Sequence, residues 1–330
     1  MLASRALLLA VFVAIIAWAA ARLDWFAIWR QLASASTPYQ IFMAVAWIAA
    51  LFFRPMRLMV LMSAMAPQIK RRYWPVWSAD MIAMAMNSVI PMRAGDMTMA
   101  FVLRRSLGIG FVRGTSIVLV DRVFDFLTVI VMFMVMLAAT PAVVPWAHDA
   151  TISLGIGLVL LVGGLLLAIR FHAQWSSLLD WACGVLPAAK AEKWRERVHE
   201  VFDGLAMIDR FSVIAAALSI SILMWGSITA SYWLGVQAFW PHMTIPAAAF
   251  AASVVALSFV VPLAPGGLGV FHGAVVLALS LFGVPTEPAL AFAIVAHAFQ
   301  MGLVLILGIA SLLWQGISLR TLAVVREAQP

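Results

Sequence analysis

GTSIVLVDRVFDFLTVIVMFMVMLAA, residues 114–139, is the stretch of this sequence that decides the fold class. It is longer than the roughly 20 apolar residues that a helix needs to cross a bilayer. Three charged residues, Asp121, Arg122 and Asp125, interrupt it. A charged side chain near the centre of a membrane helix costs about 2.5 to 3.5 kcal/mol, so these three have to be paired or face a polar cavity. The stretch therefore predicts a membrane helix that carries polar groups in its interior.

The composition of the whole chain agrees with this interpretation. Of the 330 residues, 65% are hydrophobic and 11% are charged, whereas a soluble domain is about half apolar and a quarter charged. One soluble core cannot bury so much apolar surface, so we expect a single integral membrane domain over residues 1–330 and exclude a soluble enzyme. The single cysteine and the absence of Cys/His clusters with ligand spacing lead us to expect no disulfide, metal or other cofactor.

The net charge of +7 is explained by membrane topology rather than by nucleic acid binding. Of the 21 Lys and Arg residues, 18 fall in or beside segments that can share one side of the membrane. Arg22 and Arg30 fall on the other side, and Arg122 lies within a span. This distribution is the positive-inside bias of membrane proteins. It predicts that both termini are cytoplasmic and that no nucleic acid is a partner.

Long apolar runs predict about six full spans in an all-α polytopic membrane protein. The expected spans are residues 6–21, 34–53, 114–139, 152–169, 212–238 and 288–316. Residues 188–210 carry charges together with apolar residues at helical spacing, which indicates an amphipathic helix on the cytoplasmic interface. An ordinary connecting helix packed on the bundle is the alternative for that segment.

Two further apolar stretches are each broken in the middle by proline and glycine. The first covers residues 76–103 and breaks at PMRAGD, residues 91–96. The second covers residues 247–283 and breaks at PLAPGGLG, residues 262–269. Each arm of the second stretch has about 15 residues, or about 22 Å of helix, which is shorter than the roughly 30 Å hydrocarbon core. We therefore expect two re-entrant pairs of broken helices rather than full spans.

The order of these segments predicts an inverted repeat. Residues 34–139 contain a span, a broken pair and a span, and residues 212–316 repeat that order in the opposite orientation. In both breaks a proline precedes a glycine by four positions, Pro91 before Gly95 and Pro262 before Gly266. Proline kinks alone are common in membrane helices. Opposed broken helices in two halves of a chain, however, indicate a transporter site at the repeat interface.

Polar residues in the breaks and in the 114–139 helix form the candidate site. Arg93 and Asp96 are a second charged pair, and a guanidinium fork binds phosphate through two hydrogen bonds. The glycines allow an unwound backbone, and the helix that starts near Val270 directs its positive dipole end towards the break. A structural ion pair that fastens one helix to its neighbour is the alternative for Arg122 and Asp125. The candidate substrate-binding residues, none of which is catalytic or a metal ligand, are Asn87, Arg93, Gly95, Asp96, Asp121, Arg122, Asp125, Gly266, Gly267, Gly269 and His272.

Three motifs in order resemble the transmembrane region of lysylphosphatidylglycerol synthases, a flippase-like family of membrane proteins. They are N-x-x-x-P-x-R-x-G-D at 87–96, D-R-x-x-D at 121–125 and P-G-G-L-G at 265–269. The resemblance covers residues 40–316 and implies an inverted-repeat protein of lipid translocation or of lipid-linked glycan pathways, in the bacterial cytoplasmic (inner) membrane. Stand-alone members also resemble a hopanoid-biosynthesis-associated membrane protein.

This chain departs from the family pattern at two positions and in length. The family often has Glu where this chain has Asp96, and it often has an acidic residue near the position of His272. The chain ends at Pro330, without the soluble aminoacyl-transfer domain of the fused synthases. For that reason we do not expect a synthase.

We expect a translocase, not an enzyme, that moves an anionic or phosphate-bearing lipid or lipid-linked precursor between leaflets. The 265–269 run lacks the Lys and Ser/Thr of a nucleotide loop, so movement would rely on equilibration or on an ion gradient. The alternative is a non-transporting membrane partner of a lipid-modifying or hopanoid-modifying enzyme. An intramembrane enzyme is disfavoured because no nucleophile-base or metal constellation stands out. The lipid and the oligomeric state do not follow from the sequence.

Overall fold

The computed structural model describes residues 24–90, 94–139, 152–153, 156–157, 211–259 and 265–317. The expected spans at 6–21 and 152–169 and the amphipathic helix at 188–210 lie wholly or mostly outside these ranges. Within the described ranges the chain is helical and contains no β-strand. The α-helices are α1 (Trp25–Ser34), α2 (Thr37–Met65), α3 (Tyr73–Val89), α4 (Ala94–Leu107), α5 (Phe111–Ala139), α6 (Phe211–Gln237), α7 (Ile245–Ser258), α8 (Val270–Ser280) and α9 (Thr286–Gln315).

Four of the described helices, α2, α5, α6 and α9, are long and apolar enough to cross a membrane. They have 27 to 30 residues each, which corresponds to about 40 to 45 Å of helix. Large apolar side chains on their outer faces are exposed, among them Phe42, Leu119, Ile222 and Ile306. A surface of this kind is covered by lipid rather than by water. The chain is therefore an all-α polytopic membrane protein, as its composition predicts.

Helix α2 is longer than the span expected from the sequence. The expected span ended at residue 53, because Arg54 and Pro55 interrupt the apolar run, but the helix continues to Met65. A proline inside a membrane helix is tolerated because neighbouring groups satisfy the freed backbone carbonyl. Arg54 and Arg57 had been counted with the cytoplasmic charges; the structure instead places both within α2, and Arg57 is fully buried.

The first broken stretch forms the paired helices α3 and α4. They approach closely at Gly95, whose N–H donates a hydrogen bond to Asn87 Oδ1 at 2.8 Å. A Cβ atom at position 95 would overlap the backbone carbonyl of Ala83. Glycine is therefore required here by the contact between the two helices.

The outer ends of this first pair both lie at the C-terminal end of α9. Trp74, at the start of α3, lines a groove together with Trp314. At the end of α4, Arg105 Nη2 donates a hydrogen bond to the carbonyl oxygen of Gly316 at 3.2 Å. The pair is therefore a helical hairpin whose closed end points away from the end of α9.

The second broken stretch forms a hairpin of α7 and α8 with 14 and 11 residues. Phe250 near the start of α7 packs edge-on against Phe282 just after α8, with ring centroids 5.5 Å apart. Since α8 leads directly into α9, this hairpin opens at the N-terminal end of α9. At its closed end, Gly266, Gly267 and Gly269 have φ angles of 59°, 70° and 79°, which lie in the left-handed region that favours glycine.

The closed ends of the two hairpins meet near the midpoint of α9. A Cβ atom on Gly266 would lie 3.0 Å from the backbone carbonyl oxygen of Ser88, in the last turn of α3, and would overlap Met301 of α9. His297, one turn earlier in α9, lies with its Nε2 2.9 Å from the carbonyl oxygen of Gly266. Both interruptions of the helices are thus placed together in the interior of the bundle.

The long helices α2 and α6 pack against each other in antiparallel orientation. Near one end of the pair, the N–H of Ser36 donates to the carbonyl oxygen of Ala238 at 3.1 Å. Further along, Ser231 Oγ donates to the carbonyl oxygen of Met43 at 3.0 Å. As residue numbers rise along α2, the residue numbers of the contacted positions in α6 fall. The two helices that open the two predicted halves of the chain run in opposite directions.

Candidate functional site

Charged side chains from four helices meet inside the bundle. Within the described ranges the ion pairs among them involve three arginines and four aspartates, a net charge of −1. They are Arg54 and Arg57 of α2, Asp80 of α3, Asp96 of α4, and Asp121, Arg122 and Asp125 of α5. We call this set the charged cluster.

Arg57 is the buried centre of the charged cluster. Its Nε donates to Asp121 Oδ1 at 2.8 Å, and its Nη1 donates to Ser221 Oγ of α6 at 3.1 Å. The same Nη1 lies 2.8 Å from Asp125 Oδ1. The Arg57 side chain is 0% exposed, so these partners replace the hydration of its Nε and Nη1 atoms. They link α2, α5 and α6.

Arg54 joins α2 to α3 through a two-point contact. Its Nε and Nη2 donate to the two oxygens of Asp80 at 3.0 and 3.2 Å. Its Nη1 lies 3.8 Å from Asp125 Oδ2. The fork geometry of a guanidinium matches the two oxygens of a carboxylate, which makes this the strongest form of such a pair.

Arg122 and Asp96 form the accessible end of the charged cluster. Arg122 Nη1 donates to Asp125 Oδ2 at 3.1 Å, and its Nη2 lies 3.1 Å from Asp96 Oδ1. Their side chains are 21% and 23% exposed, whereas Arg57 is fully enclosed. Arg122 is eleven residues into α5, or about 16 Å from its start. That depth exceeds the reach of a snorkelling side chain, so the partners of Arg122 have to come from within the protein.

The charged cluster holds hydrogen-bonding capacity that the described residues leave unused. Arg57 Nη2 and Arg122 Nε are buried and have no hydrogen-bond partner within the described ranges. Asp125 Oδ1 and Asp96 Oδ1 lie 2.8 Å from Arg57 Nη1 and 3.1 Å from Arg122 Nη2, so these two oxygens are held in ion pairs. A buried polar group without a partner costs about 1 to 3 kcal/mol. The unused hydrogen-bonding capacity of the charged cluster is therefore that of the two donor atoms, Arg57 Nη2 and Arg122 Nε, and both atoms are enclosed.

The structure brings together part of the predicted site. Asp96, Asp121, Arg122 and Asp125 belong to the charged cluster, and Arg93 lies outside the described residues. Asn87 and Gly95 are adjacent but bond to each other. The N–H of Gly95 therefore has a protein partner.

The remaining predicted residues form a second polar group on the other hairpin. Gly266 is held by His297, whose ring stacks on Phe271 with a centroid distance of 4.6 Å and an interplanar angle of 15°. The ring centroid of His272 lies 5.0 Å from that of His297. Gly267 abuts Phe259, which a Cβ atom at position 267 would overlap. These contacts fasten the closed end of the second hairpin to α9.

Sequence reasoning missed Arg54, Arg57 and Ser221, and it left Asp80 outside the site. The available signal was the apolar run of residues 58–62, which continues beyond Arg54 and Pro55. A second signal was charge balance. Four aspartates in apolar stretches require more cationic partners than Arg93 and Arg122 can supply.

The chemistry of the charged cluster is that of ion pairing rather than of metal binding. Within the described ranges no group of three or more His, Cys, Asp and Glu side chains is arranged to hold a metal ion. Three guanidinium groups that share four carboxylates can instead exchange a carboxylate for another oxyanion, such as a phosphate.

Comparison with known proteins places the chain in a family. The chain is 27% identical to the glycosyltransferase AglD of Haloferax volcanii over an alignment of 280 residues, which covers 74% of this chain. The alignment covers 44% of that relative, so this chain spans less than half of its length. The family model described as lysylphosphatidylglycerol synthase TM region matches residues 5–308. This chain therefore belongs to the lysylphosphatidylglycerol synthase transmembrane-region family, a lipid-related family of membrane proteins.

Proposed function

We propose that this protein is a lipid translocase, not an enzyme, that moves an anionic or phosphate-bearing lipid or lipid-linked precursor between the leaflets of a membrane. One observation carries the proposal. The charged cluster is enclosed around Arg57 but accessible at Arg122 and Asp96, close to the place where the two hairpins meet. Charged side chains that are accessible inside an apolar bundle mark a candidate substrate pathway.

The proposed substrate contact is a phosphate on the guanidinium groups. Asp125 lies within 4 Å of three arginines, so a phosphate can take its place on one of them while the carboxylate keeps the others. Arg57 Nη2 and Arg122 Nε are buried and have no hydrogen-bond partner among the described residues, so they become positions for phosphate oxygens when the helices move apart. Exchange of one oxyanion for another avoids leaving a guanidinium unpaired in an apolar interior.

The proposed mechanism is alternating access in an inverted repeat. In this proposal, α3–α4 and α7–α8 are re-entrant hairpins that enter the membrane from opposite faces. Their short arms, the antiparallel α2 and α6, and the meeting of Gly266 with Ser88 support it. Movement of one half against the other would open the charged cluster first to one leaflet and then to the other.

We further propose that the protein resides in a bacterial cytoplasmic membrane with both termini in the cytoplasm. The positive-inside bias supports this orientation, because Lys70, Arg71 and Arg72 lie exposed between α2 and α3, and Arg104 and Arg105 lie exposed at the end of α4. These two groups share the face at which the first hairpin opens.

A second candidate function is a non-transporting partner of a lipid-modifying or glycan-modifying enzyme. The name of the relative, a glycosyltransferase, favours it, because most of that relative lies outside the alignment. In this alternative the charged cluster holds a lipid-linked substrate for an enzyme without moving it between leaflets.

The experiment that separates these candidates measures lipid movement directly. Purified protein is reconstituted into liposomes that carry a head-group-labelled anionic lipid, and a membrane-impermeant reductant bleaches the label of the outer leaflet. We expect bleaching beyond the outer leaflet with the parent protein, and none beyond it with protein-free liposomes or with the Arg122→Gln variant. Bleaching by the parent that equals the protein-free background for every anionic lipid tested would exclude the translocase.

A further inference from the structure

A groove that is separate from the charged cluster lies between the start of α3 and the end of α9. Its volume is about 370 Å³, and it is lined by Trp74, Trp77, Ala310, Ser311 and Trp314. This volume falls near the lower limit of the about 300 to 1,000 Å³ typical of small-molecule sites. We call it the tryptophan groove.

The walls of the tryptophan groove are aromatic and open to the outside of the bundle. Trp74 and Trp314 are 56% and 61% exposed. Trp74 packs edge-on against Trp77 with ring centroids 5.8 Å apart, and Phe52 of α2 stacks on Trp77 at 6.3 Å. Indole side chains at a helix end are typical of the boundary between lipid tails and head groups. The groove thus lies where the glycerol region of a lipid is found.

Two lining residues carry buried donors that have no partner within the described ranges. They are the Nε1 of Trp77 and the Oγ of Ser311, and Ser311 is only 3% exposed. Both donor atoms are closed off by their neighbours, so the surface that the groove offers to a lipid is apolar and aromatic.

Basic side chains flank the two helix ends that form the tryptophan groove. Exposed Lys70, Arg71 and Arg72 directly precede α3, within four residues of Trp74. From the other side, exposed Arg105 donates a hydrogen bond to the carbonyl oxygen of Gly316, two residues after Trp314. Basic residues at the head-group level attract anionic lipids. This charge distinguishes an anionic lipid from a zwitterionic one.

From these observations we propose that the tryptophan groove is a binding site for one anionic glycerophospholipid of the leaflet at the C-terminal end of α9. The first part of one of its acyl chains fills the groove against the indole rings, and its phosphate lies among the basic residues. The binding holds whether or not the charged cluster moves lipid.

Fluorescence quenching tests the proposal on the full-length protein. The protein is reconstituted into phosphatidylcholine vesicles that contain either brominated phosphatidylglycerol or brominated phosphatidylcholine at equal mole fraction. Bromine atoms quench tryptophans that they contact, so a bound phosphatidylglycerol should quench more than its mole fraction predicts. We expect this excess for the brominated phosphatidylglycerol and not for the brominated phosphatidylcholine.

Two matched pairs of variants locate the effect. Ala310→Phe fills the groove from its exposed rim, and Ile309→Phe adds a ring at the neighbouring exposed position of α9 that does not line the groove. We expect the excess quenching to be lost in Ala310→Phe and kept in Ile309→Phe.

Arg72→Gln should weaken phosphatidylglycerol binding by about fivefold, since a basic residue near an anionic surface contributes about 1 kcal/mol. Arg30→Gln on α1 should leave the binding unchanged. Equal quenching by the two brominated lipids, or equal loss in Ala310→Phe and Ile309→Phe, would overturn the assignment.

Discussion

Arg57 of α2 and Asp121 of α5 form a buried ion pair of 2.8 Å although 64 positions separate them in the chain. Both side chains are almost fully enclosed, at 0% and 6% exposure. A charge in such a place is stable only when its partner is held in position. The pair therefore fixes α2 against α5 and gives the charged cluster a rigid centre, next to the accessible Arg122 and Asp96.

Replacement of Arg57 should destabilise the protein severely. Arg57→Gln removes the ion-pair partner of the buried Asp121, and we expect a loss of about 3 to 5 kcal/mol of stability. Ser221→Ala removes only one neutral acceptor from Arg57 and should cost about 1 kcal/mol. The measurement is the apparent midpoint of thermal unfolding in detergent. Equal midpoints for the two variants would contradict a central role of Arg57.

The close contact between α3 and α9 should depend on Gly308. A Cβ atom there would overlap the Cβ of Ala85 and would lie 3.0 Å from the carbonyl oxygen of Met81. We therefore expect Gly308→Ala to cost about 1 to 3 kcal/mol through overpacking. Gly302, on the same helix, has open space around its Cβ position, so Gly302→Ala should be neutral or stabilising by up to about 1 kcal/mol. Thermal unfolding of the two variants side by side measures the difference, and a reversed order would refute the packing.

The fork of Arg122 should matter for lipid movement beyond its charge. Arg122→Lys keeps the positive charge but cannot contact Asp96 and Asp125, or a phosphate, at two points. We expect slower lipid movement in Arg122→Lys, a further loss in Arg122→Gln, and unchanged movement in Arg113→Gln on the same helix. The readout is the bleaching assay on protein that elutes as a folded monodisperse species. If an Arg93→Gln, Arg122→Gln double variant stays folded and moves anionic lipids at the parental rate, the phosphate assignment is wrong.

The re-entrant hairpins predict a distinct labelling pattern. With the single native Cys183 replaced by serine, an impermeant thiol reagent should label Lys70→Cys from the cytoplasm and His242→Cys from the opposite side. Leu268→Cys, beside the glycines that meet α9 at its midpoint, should react slowly from either side. Rapid labelling of Leu268→Cys from the cytoplasm alone is the pattern of a full hairpin and would disprove the re-entrant arrangement.

The sequence by itself determined the fold class and the position of the breaks. Apolar runs longer than a bilayer and a low charged fraction leave only a helical membrane protein. Proline and glycine occur together at residues 91–95 and 262–269, and this combination predicts a helix end from local rules, because proline lacks an N–H donor and glycine adopts positive φ angles. The family motifs at 87–96, 121–125 and 265–269 were likewise readable without coordinates, and the family match confirms that resemblance.

Only the tertiary structure decided which charges meet. Asp121, Arg122 and Asp125 are recognisable as unusual in their helix, but their partners Arg54, Arg57 and Asp96 lie on other helices. The sequence around Arg54 and Pro55 is compatible both with the cytoplasmic end of a span and with a longer helix that carries a buried arginine. The local pattern does not distinguish the two. The difference is made by carboxylates from α3 and α5, which replace the lost hydration of Arg54 and Arg57 once the helices have packed.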